Sequence, residues 1–166
     1  MESQEIVEPT FYDLAIARNY LVERADKDDV KRGIDFYVQG KYKSTNKEVK
    51  MLFAVKRKKS KQKSKYYDRW TWVEYKNSRG EEGWIYGPAH FIAFERSFDY
   101  VIINRKVLLD YLNSKKCKVR WDMPFVPEPK LAKYRIFANK PSGFQISQIL
   151  TKDILALEGA AVWKKE

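Results

Sequence analysis

Gly33-Ile34-Asp35-Phe36-Tyr37-Val38-Gln39 reads as a β-strand. Ile34, Phe36 and Val38 alternate with Asp35, Tyr37 and Gln39, so one face is apolar and the other carries a carboxylate. Downstream, the polar stretch Lys41 to Lys47 reads as a turn, and Val49 to Lys56 as a second strand. Met51, Phe53 and Val55 share one of its faces, and Leu52, Ala54 and Lys56 the other. The spacing of Asp35 from Ala54 suits adjacent strands joined by a hairpin. A third strand, Trp70 to Lys76, places Trp70, Trp72, Glu74 and Lys76 on one face.

Outward from these strands the chain alternates element types. Residues 10–24 read as a helix with Pro9 before it, a Thr10/Asp13 capping box, and Phe11, Leu14, Ala15, Leu21 and Val22 on one side. Asn77 to Gly83 is a turn. Trp84 to Phe94 is apolar and ambiguous, interrupted by Gly87 and Pro88. Tyr100 to Ile103 is a short buried strand, and Asn104 caps a helix running to about Asn113. Strands are expected at Val119 to Trp121, Tyr134 to Phe137 and Phe144 to Ser147, with an extended connection at Pro124, Pro127 and Pro129. A last short helix opens at Thr151 and runs through Leu157. The order predicts one α/β or α+β domain around a mixed sheet, with a core over about 10–113 and a C-terminal extension over about 114–166.

Charge narrows the partners. Lys and Arg number 33 against 22 Asp and Glu, a net charge of +11, and the run Lys56 to Lys65 alone supplies seven positive charges. Arg57, Lys58, Lys59, Lys61, Lys63 and Lys65 are therefore the candidate contacts to nucleic acid, probing the phosphate backbone. The plainer reading is a solvated loop. The single Cys117 forms no internal disulfide and fits a reducing cytoplasm. The acidic N-terminus is not expected to be a signal peptide, and no apolar run is long enough for a membrane span. Phosphate-binding glycine loops, dinucleotide fingerprints and paired cysteines for zinc are lacking.

Phosphodiester cleavage with a divalent metal calls for carboxylates converging on a hard cation, and for a lysine that orients water or stabilises charge. A strand presents an acid-x-Lys pair on one face. Two versions share Asp35: one uses Glu74 and Lys76 of Trp72-Val73-Glu74-Tyr75-Lys76, the other Lys56 of Phe53-Ala54-Val55-Lys56. In the second, alanine holds the position where an acid is needed. The plainer reading leaves Asp35 capping a strand and Glu74 and Lys76 paired on a sheet surface. For Trp70, Trp72, Trp84 and Tyr86, core packing stands beside stacking on bases. The only histidine, His90, is expected to be structural.

Asp29-Val30-Lys31-Arg32-Gly33-Ile34-Asp35-Phe36 resembles the Arg/Lys-Gly-Ile-Asp segment of PD-(D/E)xK nucleases. Trp70-Thr71-Trp72-Val73-Glu74, Gly83-Trp84-Ile85-Tyr86-Gly87 and Phe91-Ile92-Ala93-Phe94-Glu95 are similar to uncharacterised phage proteins of that superfamily. The resemblance covers about residues 24–112. It implies a restriction-endonuclease-like core with a central mixed sheet flanked by helices. It also implies a Mg²⁺- or Mn²⁺-dependent endonuclease or resolvase acting on DNA in the host cytoplasm, with a homodimer as one expected assembly. Asp35 and Glu74 become the expected metal ligands; Lys56, with Lys76 as second candidate, becomes the catalytic lysine. The phage proteins carry an acid where this chain has Ala54. Three accounts follow: activity is lost, Glu74 supplies the carboxylate, or an acid was replaced. A non-catalytic nucleic-acid-binding or virion-associated protein on a nuclease scaffold is the alternative, and a protein–protein adaptor the third.

Overall fold

The computed structural model describes residues 8–41, 48–58 and 67–166, the side chains of Lys41, Glu48 and Tyr67 excepted. Nine strands and four short helices are found among them: α1 (Phe11–Ala17), β1 (Leu21–Arg24), α2 (Lys27–Lys31), β2 (Phe36–Lys41), β3 (Glu48–Lys56), β4 (Trp70–Lys76), β5 (Phe91–Glu95), β6 (Asp99–Asn104), α3 (Arg105–Leu112), β7 (Phe137–Ala138), β8 (Gln145–Leu150), α4 (Thr151–Leu155) and β9 (Ala161–Lys164). The class is α+β. A mixed six-stranded sheet runs β1-β2-β3-β5-β6-β9, and a three-stranded sheet runs β4-β8-β7. In the larger sheet only β3 and β5 are parallel; the other neighbours are antiparallel. A parallel pair needs a crossover, and here the crossover is the segment that contributes β4 to the second sheet.

The larger sheet is the middle layer. On one face Phe11, Leu14 and Ala15 of α1 pack on Val38, Phe53, Ala93, Tyr100 and Ile102. Phe11 stacks on Trp163 at 5.5 Å and lies 5.2 Å from Phe53 between ring centres. On the other face Tyr37, Ala54, Ile92, Phe94, Val101 and Ile103 meet Val73 and Tyr75 of β4 and Leu108 and Leu112 of α3. Because both faces of β5 and β6 are covered, these strands are apolar at consecutive positions and do not alternate with polar residues.

Several elements depart from the expectations. The capping box at Thr10 is present, with Asp13 N–H donating to Thr10 Oγ1 at 3.2 Å and Thr10 N–H to Asp13 Oδ2 at 2.8 Å. The helix nevertheless stops at Ala17 and does not reach residue 24. Asn19 takes a left-handed conformation at φ 65°, which asparagine tolerates, and Leu21–Arg24 turns back to pair with the edge of β2. Tyr134 at φ 52° ends the extended run expected there, so only Phe137–Ala138 is a strand. Val119 to Trp121 forms no strand. The ambiguous segment resolves into a 3₁₀ turn, Trp84–Tyr86, followed by β5. The expected turn at Lys41 to Lys47 lies almost wholly outside the described residues.

Residues 114–166 are built into both sheets: β8 pairs along β4, and β9 pairs along β6. Next to β9, Lys165 is only 7% exposed, and its ammonium lies between Glu8 Oε2 at 3.2 Å and Glu95 Oε2 at 3.1 Å. A buried ammonium is tolerated where carboxylates surround it, so this contact fastens the C-terminal strand to the end of β5. No helix among the described residues is long and apolar enough to cross a membrane.

Candidate functional site

The Arg-Gly-Ile-Asp segment is a helix stop followed by a strand start. Asp26 caps α2 by accepting from Asp29 N–H at 2.8 Å. At the far end Gly33 N–H donates to Val30 O and Ile34 N–H to Asp29 O, the two bonds of a Schellman motif. Gly33 sits at φ 91°, where a side chain would be strained. The chain thus leaves the helix with Asp35 directed onto β3. Asp35 N–H donates to Phe53 O at 2.8 Å, and Asp35 Oδ2 accepts from Val55 N–H at 2.7 Å. One carboxylate oxygen therefore supports the strand, as the plainer reading expected. The register pairs Phe36 with Phe53, and extending it by one residue sets Asp35 opposite Ala54.

Ala54, 1% exposed, belongs to the core cluster between the layers. Lys56, two residues on, faces the same side at the end of β3. Burial lowers the pKa of its ammonium below the usual lysine value, and the carboxylates of Asp35 and Glu74 act against that shift. Both acids are thus within electrostatic reach of one lysine. Glu74 does not come from a neighbouring strand of the same sheet, as expected; it arrives from the second sheet. The β3–β5 crossover carries β4, and Val73 and Tyr75 of β4 share a core cluster with Ala54 and Ile92 of the larger sheet.

The Gly-Trp-Ile-Tyr-Gly block explains part of this placement. A Cβ at Gly83 would lie 2.3 Å from Glu74 O and 2.8 Å from the carbonyl carbon of Tyr75, so only glycine lets this segment press on β4. Gly83 N–H donates to Tyr75 O at 2.8 Å. The next residue, Trp84, then lies with its ring 5.2 Å from the Lys56 ammonium and edge-on to Phe94 at 5.6 Å. Arg105 holds the turn from behind, donating from Nη1 to Ile85 O at 2.9 Å and from Nε to Ala89 O at 2.7 Å.

Lys56, Glu74 and Trp84 line a cleft of about 1100 Å³ between the sheets, together with Arg57, Lys58, Trp70 and Trp72. Asp35 is not on its wall. Among the described residues six basic ones line the cleft against four acidic ones. Ion pairs and hydrogen bonds engage lining residues of both signs: Asp68 accepts from Ser97 N–H and Oγ, Glu95 meets Lys165, Glu128 meets Lys130, and Arg96 is held by Asp99. Lys130 and Lys133 are lining residues that the sequence reading passed over; their signal was a pair of lysines beside Pro127 and Pro129.

The remaining candidates separate clearly. Lys76 is exposed, follows an irregularity in the β4–β8 pairing, and does not line the cleft. Lys59, Lys61, Lys63 and Lys65 lie outside the described residues. His90 Nδ1 accepts from Leu52 N–H at 2.9 Å, the structural role expected of it. Burial raises the pKa of the Cys117 thiol, which disfavours the reactive thiolate.

Among the described residues no three His, Cys, Asp or Glu side chains form a metal-binding group. Asp35 and Glu74 supply two carboxylates, which is the donor chemistry Mg²⁺ takes when substrate phosphate and water complete its shell. Searches against protein-family models, curated proteins and solved structures found no match to this chain.

Proposed function

We propose that this chain is a metal-dependent nuclease of restriction-endonuclease-like architecture that binds a phosphodiester backbone, DNA first among the candidates, in the cleft between its sheets. The observation that carries this reading is that the carboxylates of Asp35 and Glu74, from separate strands or strand ends, both act on the Lys56 ammonium, and that Lys56 and Glu74 stand on the wall of a cleft whose described lining has more basic than acidic residues. A Mg²⁺ ion bound by Asp35 and Glu74 would supply Lewis-acid polarisation of the phosphate and acidify a water. Lys56 is the group that meets the phosphate: its ammonium sits beside the carboxylates and stabilises negative charge as it grows on the phosphoryl oxygens. Arg57, Lys58, Lys130 and Lys133 hold the flanking phosphates and give affinity without sequence preference. In the free cleft Trp84 keeps the Lys56 ammonium partly desolvated, so less water has to leave it when a phosphate arrives.

One observation favours a second reading, binding without cutting. Ala54 lies opposite Asp35 in the core, where an acid would complete a paired-carboxylate site on one strand face. Cleavage of plasmid, branched and single-stranded DNA with Mg²⁺ or Mn²⁺ separates the readings, with Glu74→Gln as the comparison. A nuclease cuts, and Glu74→Gln lowers the rate by about 10²-fold or more. Binding without cutting by the wild type selects the second reading, and neither binding nor cutting removes both.

A further inference from the structure

The cleft repeats one arrangement twice. Lys56 lies over Trp84, and Lys133 lies 5.2 Å from the ring of Trp70. Each ring is fixed by an edge-on aromatic neighbour: Phe94 for Trp84, and Tyr134 for Trp70 at 5.8 Å. All four residues of the two lysine–tryptophan pairs line the same cleft. The pairs come from four different segments, so no local sequence periodicity produces the repetition.

We infer that the cleft takes an unpaired nucleic-acid strand, with Trp84/Lys56 and Trp70/Lys133 as two nucleotide subsites. This rests on the reading that the cleft binds nucleic acid, and it names the substrate class. In each subsite the ammonium exchanges the ring for a backbone phosphate, and a base takes the ring face that it leaves. The exchange is favourable because a charge-assisted contact to phosphate replaces a weak cation–π contact, while base–aromatic stacking is regained. A paired duplex cannot use these rings, since its base faces are buried in the stack unless a base is extruded. The cleft volume, about 1100 Å³, exceeds the ~300–1,000 Å³ of small-molecule pockets and suits a short length of strand. Of the two subsites, Trp84/Lys56 lies against the carboxylates. Trp70/Lys133 is therefore a positioning subsite for the neighbouring nucleotide.

The test compares an oligo-dT strand with a blunt duplex of the same length, reading tryptophan fluorescence and anisotropy over a range of salt. The strand should bind at least about tenfold more tightly than the duplex and quench emission, one stacked base being worth about that factor. Lys133→Ala should weaken strand binding and lower the salt slope by about 0.7, the share of one phosphate contact on a single strand. Trp70→Leu should weaken strand binding by about tenfold without changing duplex affinity; Lys133→Ala carries the test if Trp70→Leu does not fold. Equal affinity for strand and duplex, unaffected by either substitution, overturns the single-strand inference and leaves nucleic-acid binding standing. Binding of neither overturns both.

Discussion

Ala54→Asp is expected to produce a protein that is less stable in EDTA, regains stability with Mg²⁺, and cuts DNA. The position is 1% exposed and lies opposite Asp35 in the antiparallel register. Opposed residues on one face bring their Cβ atoms to about 4.5–5.5 Å, so the new carboxylate stands beside that of Asp35. Lys56, two residues along the same face, offsets part of the repulsion. Burying a second acid there should still cost about 3 kcal/mol. A cation bridging the pair reverses that cost, by about 2.7 kcal/mol at a hundredfold excess over its Kd. Urea denaturation with EDTA and with Mg²⁺ reads the effect directly. Ala54→Asn, polar but uncharged, should lose stability without responding to Mg²⁺. An Ala54→Asp protein indifferent to Mg²⁺ would remove position 54 from any metal site.

The second large effect concerns which lysine acts. In whichever background cuts, wild type or Ala54→Asp, Lys56→Ala should lower kcat by about 10²- to 10³-fold, the usual cost of losing one group that stabilises transition-state charge. Lys76→Ala should leave kcat within about twofold, because Lys76 is solvent-exposed and away from the cleft. Affinity for DNA should fall only modestly in Lys56→Ala, since the other basic residues of the cleft still hold phosphates. The reverse pattern, with Lys76 essential and Lys56 dispensable, would place the chemistry on the exposed face of β4.

The parts of the fold that sequence reveals are those governed by local patterns. β3 and β4 show through alternation, α3 through its Asn104 cap, and the Gly33–Asp35 corner through a glycine that a left-handed helix stop requires. Partnership between strands is not a local property. β4 reads as a strand from its own residues, but nothing in them says that its partner is β8, 69 to 80 residues on, in place of β3. That is why Glu74 was expected on the same sheet as Asp35 and is found across a gap from it. Likewise Leu21–Arg24 satisfies a helical face by placing apolar residues at Leu21 and Val22, and only Asn19 and the open edge of β2 decide against it. The cleft's lysines at 130 and 133 were hidden for the same reason: their contribution depends on the second sheet.

The site at Lys56 is the centre of this account, and the ionisation of that one ammonium tests it most directly. In the free protein burial holds its pKa below the ordinary lysine value. A phosphate arriving in the cleft adds negative charge beside it and favours the protonated form. NMR titration of the lysine side-chain resonances, with Lys56→Arg to assign the signal, should therefore show a depressed Lys56 pKa that rises when an oligonucleotide saturates the protein. A Lys56 pKa that stays the same with and without bound nucleic acid would contradict the account, because the phosphodiester would then lie elsewhere.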